Sequence, residues 1–132
     1  MALLRVGRDR IAALITGSST CHWGTSGASI WVSCSTEPHS AAATWFTSAA
    51  TSYTAVGATG ESGFPLTAAN IFQHRCVFAT NQANFQWESW LINTTTASGG
   101  AAIPLNIAVA QALGTKANTQ SWQITTSVTL TT

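Results

Sequence analysis

The strongest constraint on the fold is the alternation near the end of the chain. Trp122, Ile124, Thr126, Val128 and Leu130 alternate one for one with Gln123, Thr125, Ser127, Thr129 and Thr131. Side chains of a strand point to opposite faces with a period of two, whereas a helix would need its apolar residues at helical spacing. The segment therefore predicts a half-buried antiparallel strand, with one face turned to a core. Such a strand is not stable alone, so other segments must supply its partners.

Several segments qualify. In residues 28–34, Ile30, Val32 and Cys34 alternate with Ser29, Trp31 and Ser33. In residues 71–79, Phe72, His74, Cys76 and Phe78 share one face, and Ile71, Gln73, Arg75 and Val77 the other. Residues 85–92 read as an aromatic strand, with Phe85 and Trp87 on one face and Trp90 and Ile92 on the other after a register change or bulge. Residues 103–113 are apolar but contain Pro104 and Asn106, which favours strand over helix. Glycine- and threonine-rich stretches at 57–63 and 93–100 read as loops. Residues 36–53 leave two readings open, a short helix over 41–50 or an irregular surface segment. At the start, residues 3–15 read as a short helix or an arm, with Gly7 weakening a continuous helix. The expected fold is mainly β, an antiparallel β-sandwich with a short N-terminal helix or arm. Residues 1–17 form the arm and 18–132 the body of a single domain, without internal repeat or linker.

Charge narrows the function classes. Only 7% of residues are charged, against about 25% in an ordinary soluble domain. Disorder does not explain this, because six Trp and five Phe supply ample core material. A membrane helix does not either, because no run approaches the roughly 20 apolar residues of a span. Ser, Thr, Asn and Gln stand where charges are missing. A subunit enclosed by neighbours avoids desolvating ions, and interface cores are depleted of charge, so the composition points to self-assembly. The competing reading is a neutral secreted domain with a threonine-rich surface. With a net charge of +1 and five Lys and Arg in all, no basic groove for nucleic acid is expected, and no membrane partner. Cys21, Cys34 and Cys76 are odd in number and lack metal-ligand spacing, which argues against a disulfide framework. Arg5, Arg8, Asp9 and Arg10 interrupt the apolar residues at the start, so no secretion signal is expected. The thiols are expected to be free, in a reducing cytoplasm.

No catalytic constellation emerges, and the chain reads as a non-enzyme without cofactor or metal. Asp9, Glu37, Glu61 and Glu88 are far apart in sequence and predict no acid/base pair. His22, His39 and His74 lie near the cysteines, but adjacent Cys21 and His22, and His74 two before Cys76, are not zinc-binding spacings. His74 and Cys76 would share a strand face, where packing is the simpler role. Glu61 and Ser62 between Gly60 and Gly63 fall one residue short of a nucleophile elbow. Lys116 lacks the upstream glycines of a phosphate loop. The tryptophans offer two readings. Trp87 and Trp90 could line a sugar-binding platform. Alternatively Trp87 and Trp122 are core, while Trp23, Trp31, Trp45 or Trp90 anchors a subunit contact.

Three segments together resemble a group of small tailed-phage proteins. Residues 3–17 (LLRVGRDRIAALITG) are similar to their opening. Residues 83–93 (ANFQWESWLIN) are similar to their A-N-F-x-W-x-E-W-x-x-x-N pattern, with Glu88 and Ser89 in transposed order. Residues 113–126 (LGTKANTQSWQITT) resemble their closing strand, and a comparable strand appears in phage tail-collar fibre domains. Residues 18–69 match poorly. The resemblance implies a bacteriophage virion structural protein with a β-sandwich body, assembled in the host bacterial cytoplasm. The chain has no coiled-coil stalk or receptor-binding tip, which favours a capsid decoration or cement protein. It would act as a homo-oligomer, a trimer being favoured, in contact with the major capsid protein. Arg5, Arg8 and Arg10 are then the candidate docking residues, and Trp87, Trp90 and Trp122 form core or oligomer contacts. The alternatives are a tail, collar or fibre component, or a carbohydrate-binding module for host attachment.

Overall fold

The computed structural model describes residues 2–3, 29–37, 42–43, 45–46, 54–64, 66–68, 70–93, 98–99, 104–109 and 111–129. The expected N-terminal helix and Arg5, Arg8 and Arg10 lie outside these residues, as do Cys21, His22, Trp23 and His39.

The described residues form ten strands: β1 (Ala2–Leu3), β2 (Ser29–Ser33), β3 (Ala55–Thr59), β4 (Leu66–Ala68), β5 (Ile71–Phe78), β6 (Gln86–Trp87), β7 (Ser89–Asn93), β8 (Pro104–Ala108), β9 (Gly114–Thr115) and β10 (Trp122–Thr129). They build a five-stranded sheet in the order β1-β8-β7-β2-β3, a three-stranded sheet β10-β5-β4, and a two-stranded ribbon β6-β9. Every pairing is antiparallel. The protein is mainly β, as the alternations predict. β1 is hydrogen-bonded to β8 through Ala2 opposite Ile107 and Leu3 opposite Asn106, so the start of the arm is a strand of the body.

β5 and β10 pair over eight positions without a shift, from Trp122 opposite Phe78 to Thr129 opposite Ile71. Their inner faces carry Phe72, His74, Cys76 and Phe78 against Trp122, Ile124, Thr126 and Val128, as expected from the sequence. Ile30, Val32 and Ala58 of the five-stranded sheet, Cys76 and Phe78 of the three-stranded sheet, and Ala83 and Trp87 form one buried cluster. The Trp87 ring meets Phe78 and Trp122 edge-on, each at 4.9 Å between centroids. Each such pair adds about 0.5–1.5 kcal/mol beyond the area it buries.

The aromatic strand breaks at Glu88, between β6 and β7, where a register change was expected. The consequence differs from the expectation. Phe85, Trp87 and Trp90 all pack on the same cluster, because the break turns the odd-numbered residues before it and the even-numbered residues after it to one side.

The other face of the five-stranded sheet is also covered. Residues 42–46 supply Ala43, Trp45 and Phe46 to a second cluster with Trp31, Leu91 and Ile107, and Trp45 meets Trp31 edge-on at 5.0 Å. Gly57 lies opposite Trp31, whose ring occupies the space a Cβ would need, 2.2 Å from its nearest atom. On this face Ser29, Ser33, Ser89 and Asn93 are also buried, at 2% exposure or less. Their polarity is met locally: Trp31 Nε1 donates to Ser29 Oγ at 2.9 Å, Ser35 N to Ser33 Oγ at 3.0 Å, and Ser89 Oγ to the Ser35 carbonyl. Part of the uncharged polar complement therefore serves one chain's interior, not a contact between chains.

Candidate interaction surface

The buried chemistry is structural. His74 and Cys76 do share a face, with Cys76 Sγ 3.5 Å from His74 Nε2, at 1% and 0% exposure. The His74 ring packs over Gly60, and Thr126 Oγ1 donates to the His74 carbonyl at 3.3 Å. Burial pushes the Cys76 thiol up from its ordinary value of 9.0 to about 11, with a smaller contribution from the Glu61 charge. Burial therefore favours the protonated thiol at neutral pH. Among the described residues no group of three or more His, Cys, Asp or Glu could hold a metal ion. No helix among them is long and apolar enough to cross a membrane.

The tryptophans divide by role. Trp87, at 1% exposure, donates Nε1–H to the Ala83 carbonyl at 2.8 Å and offers no ring face to a ligand. It cannot share a sugar platform with Trp90, because it is buried within the cluster that Trp90 only flanks. Trp122 is half-buried against Trp87, and its ring approaches Gly114, which has a φ of +114° and no room to spare: a Cβ there would lie 3.3 Å from the ring. Trp90 is half-buried and reaches the surface.

Sequence reasoning missed Lys116. Its side chain is 1% exposed, and Nζ donates to Asn84 Oδ1 at 2.8 Å and to the Ala117 carbonyl at 3.5 Å. This joins the turn after β5 to the turn before β10. The two turns are built alike. Gln82 N donates to the Ala79 carbonyl at 3.0 Å while Gln82 Oε1 accepts from Ala79 N at 3.0 Å. Gln120 and Ala117 repeat both bonds at 3.1 Å. The signal was an Ala-x-x-Gln spacing at 79–82 and again at 117–120, too short to register as a repeat.

The surface of most consequence is the three-stranded sheet. Its outer face carries Ile71, Gln73, Arg75 and Val77 beside Gln123, Thr125, Ser127 and Thr129. Arg75 lies over the Phe64 ring at 4.5 Å, is 3.8 Å from the Glu61 carboxylate and donates to Thr125 Oγ1 at 3.2 Å. Gln73 donates to Ser127 Oγ at 3.0 Å. The rest of this face is uncharged. Leu66 and Ile71, 49% and 39% exposed, form its apolar end.

β10 is the edge of that sheet, and among the described residues no strand pairs with its second side. A groove of about 320 Å³ runs along this edge, lined by Trp90, Leu113, Ile124, Thr125, Thr126 and Ser127. Leu113 is 43% exposed. A free edge presents a row of backbone donors and acceptors, and the groove adds an apolar floor beside it. Chemically, this arrangement can take up an extended chain.

Comparison of the chain with protein-family models, with curated proteins and with solved structures gives no match.

Proposed function

We propose that the chain is a bacteriophage virion structural protein, and within the particle a capsid decoration or cement protein whose body is a two-sheet antiparallel sandwich. The observation that carries the reading is the resemblance of residues 3–17, 83–93 and 113–126 to small tailed-phage proteins. In its support, the last two segments adjoin in the fold: β6 pairs with β9, Lys116 bonds Asn84, and Trp122 abuts Trp87. The motif thus corresponds to one packed unit. The cluster shared by Ile30, Val32 and Ala58 with Cys76 and Phe78 supports two sheets face to face.

A cement protein works by adding buried contact area across neighbouring capsid subunits. One contact is weak, but a shell repeats it many times. Under this reading copies of the chain associate, a trimer being favoured, and Arg5, Arg8 and Arg10 dock on the major capsid protein. Immunogold labelling of intact particles tests the assignment. Label over the head is expected, label over the tail would move the protein to a tail, collar or fibre role, and an unlabelled particle overturns the virion reading. Replacing Arg5, Arg8 and Arg10 together by Ala should abolish incorporation while the β signal in circular dichroism is kept. Substitution is the right tool, because truncation would also remove β1 from its place beside β8.

The competing reading is a carbohydrate-binding attachment module, favoured by Trp90 beside the hydroxyls of Thr125 and Ser127 in the groove. It predicts that host glycans protect Trp90 fluorescence from quenching.

A further inference from the structure

The edges of this protein are not equally guarded. β1 offers two residues, β4 three, and β6 and β9 two each. The outer edge of β3 runs on into β5 through the bridge between Gly60 and Cys76 and the bond from Glu61 N to the Arg75 carbonyl at 2.9 Å. β10 is different. It is eight residues long, in continuous register with β5, and its sequence WQITTSVT contains no Pro, no Gly and no charge. Soluble proteins blunt a free edge with lysine, proline, a bulge or shortness. β10 has none of these, and its content of Thr, Ile, Val and Trp favours strand pairing.

The groove beside the edge sets the occupant's chemistry. An added strand must place apolar side chains over Trp90 and Leu113, show polar ones on the outer face, and bring no charge into a neutral seam. β10 itself meets all three conditions. From residue 117 to the last residue, 132, the sequence carries no ionisable side chain, so self-pairing sets no like charges against each other. Arg75, one strand further in, already has the Glu61 carboxylate at 3.8 Å.

We propose that β10 pairs antiparallel with β10 of a second copy of this chain, about a two-fold axis, joining two three-stranded sheets into one of six strands. The inference takes from the reading above only that copies of the chain associate; it puts a two-fold contact in place of the trimer favoured there and does not rest on the virion assignment. Because side chains alternate, only registers that keep like faces together are compatible with the groove, and of these the two that overlap the strands most put the axis at Thr125 or at Thr126. In the first register Thr125 faces its own copy and Gln123 faces Ser127. In the second Thr125 faces Ser127 and Ile124 faces Val128. Either one extends a ladder of hydroxyls across the outer face and lays Ile124 of each copy beside the other's groove. The contact is isologous, so it closes at two copies and does not run on into a fibre.

Sedimentation velocity on the purified full-length chain tests this, with a charge-swap pair. In Thr125→Glu/Ser127→Glu, carboxylates oppose each other across the seam in both registers, while within one copy the carboxylate at 125 faces Arg75. In Thr125→Lys/Ser127→Lys, ammonium groups oppose each other. Each variant alone should dissociate roughly 10- to 100-fold more readily than the parent, and an equimolar mixture should recover a dimer. A parent that stays monomeric, or forms a trimer of unaltered stability in both variants, overturns the proposal. Should either variant fail to fold, hydrogen exchange on the parent decides: the outward amides of residues 122–129 should become protected as concentration rises, and protection independent of concentration refutes it. Particle labelling reads the virion assignment separately, so either idea can fail without the other.

Discussion

β8 and β10 are both uncharged strands, yet the protein treats them in opposite ways. All five residues of β8 are buried, Asn106 included, whereas β10 alternates between half-buried or buried and fully exposed along its eight residues. The difference lies in what covers each sheet. The five-stranded sheet has the shared core on one side and Ala43, Trp45 and Phe46 on the other; among the described residues the three-stranded sheet has a core on one side only. The buried serines of the first sheet are held by internal hydrogen bonds, whereas the Asn106 side-chain amide is buried without a partner among the described residues. Polarity on the open face of the second is available to a partner.

The contrast can be broken at what the two sheets share. Trp87→Ala removes the ring that holds Phe78 and Trp122, and should cost about 3–5 kcal/mol in denaturant unfolding, with both sheets lost in one transition. Two separate transitions would show that the sheets are independent. Gly57→Ala tests the closed sheet alone. Its added methyl needs the space of the Trp31 ring, so a loss of about 1–3 kcal/mol is expected, with a changed Trp31 near-ultraviolet signal. Unchanged stability would mean that residues 42–46 do not hold that ring in place.

Serines sharpen the comparison. Ser89→Ala leaves the buried Ser35 carbonyl without its donor and should cost about 1–3 kcal/mol. Ser127→Ala, on the open face, should stay within about 0.5 kcal/mol. Equal effects would erase the distinction between the sheets. Cys76 gives a pH test. Its pKa is raised on folding, so the stabilisation it contributes is complete below 9.0, falls as pH rises from there because the unfolded thiol ionises first, and levels off above about 11. Cys76→Ala should flatten that part of the stability profile. A small gain is expected at Ala112, exposed and at a φ of +46°, where Gly removes the left-handed strain and should raise stability by up to about 1 kcal/mol.

β5 and β10 were legible because their residues alternate and, among the described residues, one face of the pair is covered, so sequence and exposure correspond along both strands. β4 carries no such alternation and was not legible. In the five-stranded sheet the correspondence fails. Ser29 and Ser33 alternate with the apolar residues of β2, yet they are buried on the same face as Trp31, which packs with Ala43, Trp45 and Phe46 from a stretch the sequence left ambiguous. The sequence around Lys116 bears only on a phosphate loop, which it excludes, and nothing in it marks the side chain as buried, since burial of an ammonium group is rare. Only the juxtaposition of two turns explains it. Of the candidate surface, the outer residues of β5 and β10 were readable, while the groove beside Trp90 and Leu113 was not, because its walls come from separate strands.

Local periodicity thus determined that β2, β5 and β10 are strands and which of their side chains share a face, since the pleat imposes a period of two on any extended chain. β3 and β4 carried no such signal, and β3 overlaps a stretch that read as a loop. Tertiary structure alone decided which faces are covered, which edge is left open and where the unpaired polarity is resolved. Those outcomes depend on contacts between residues far apart in sequence, and no short window of the chain contains them.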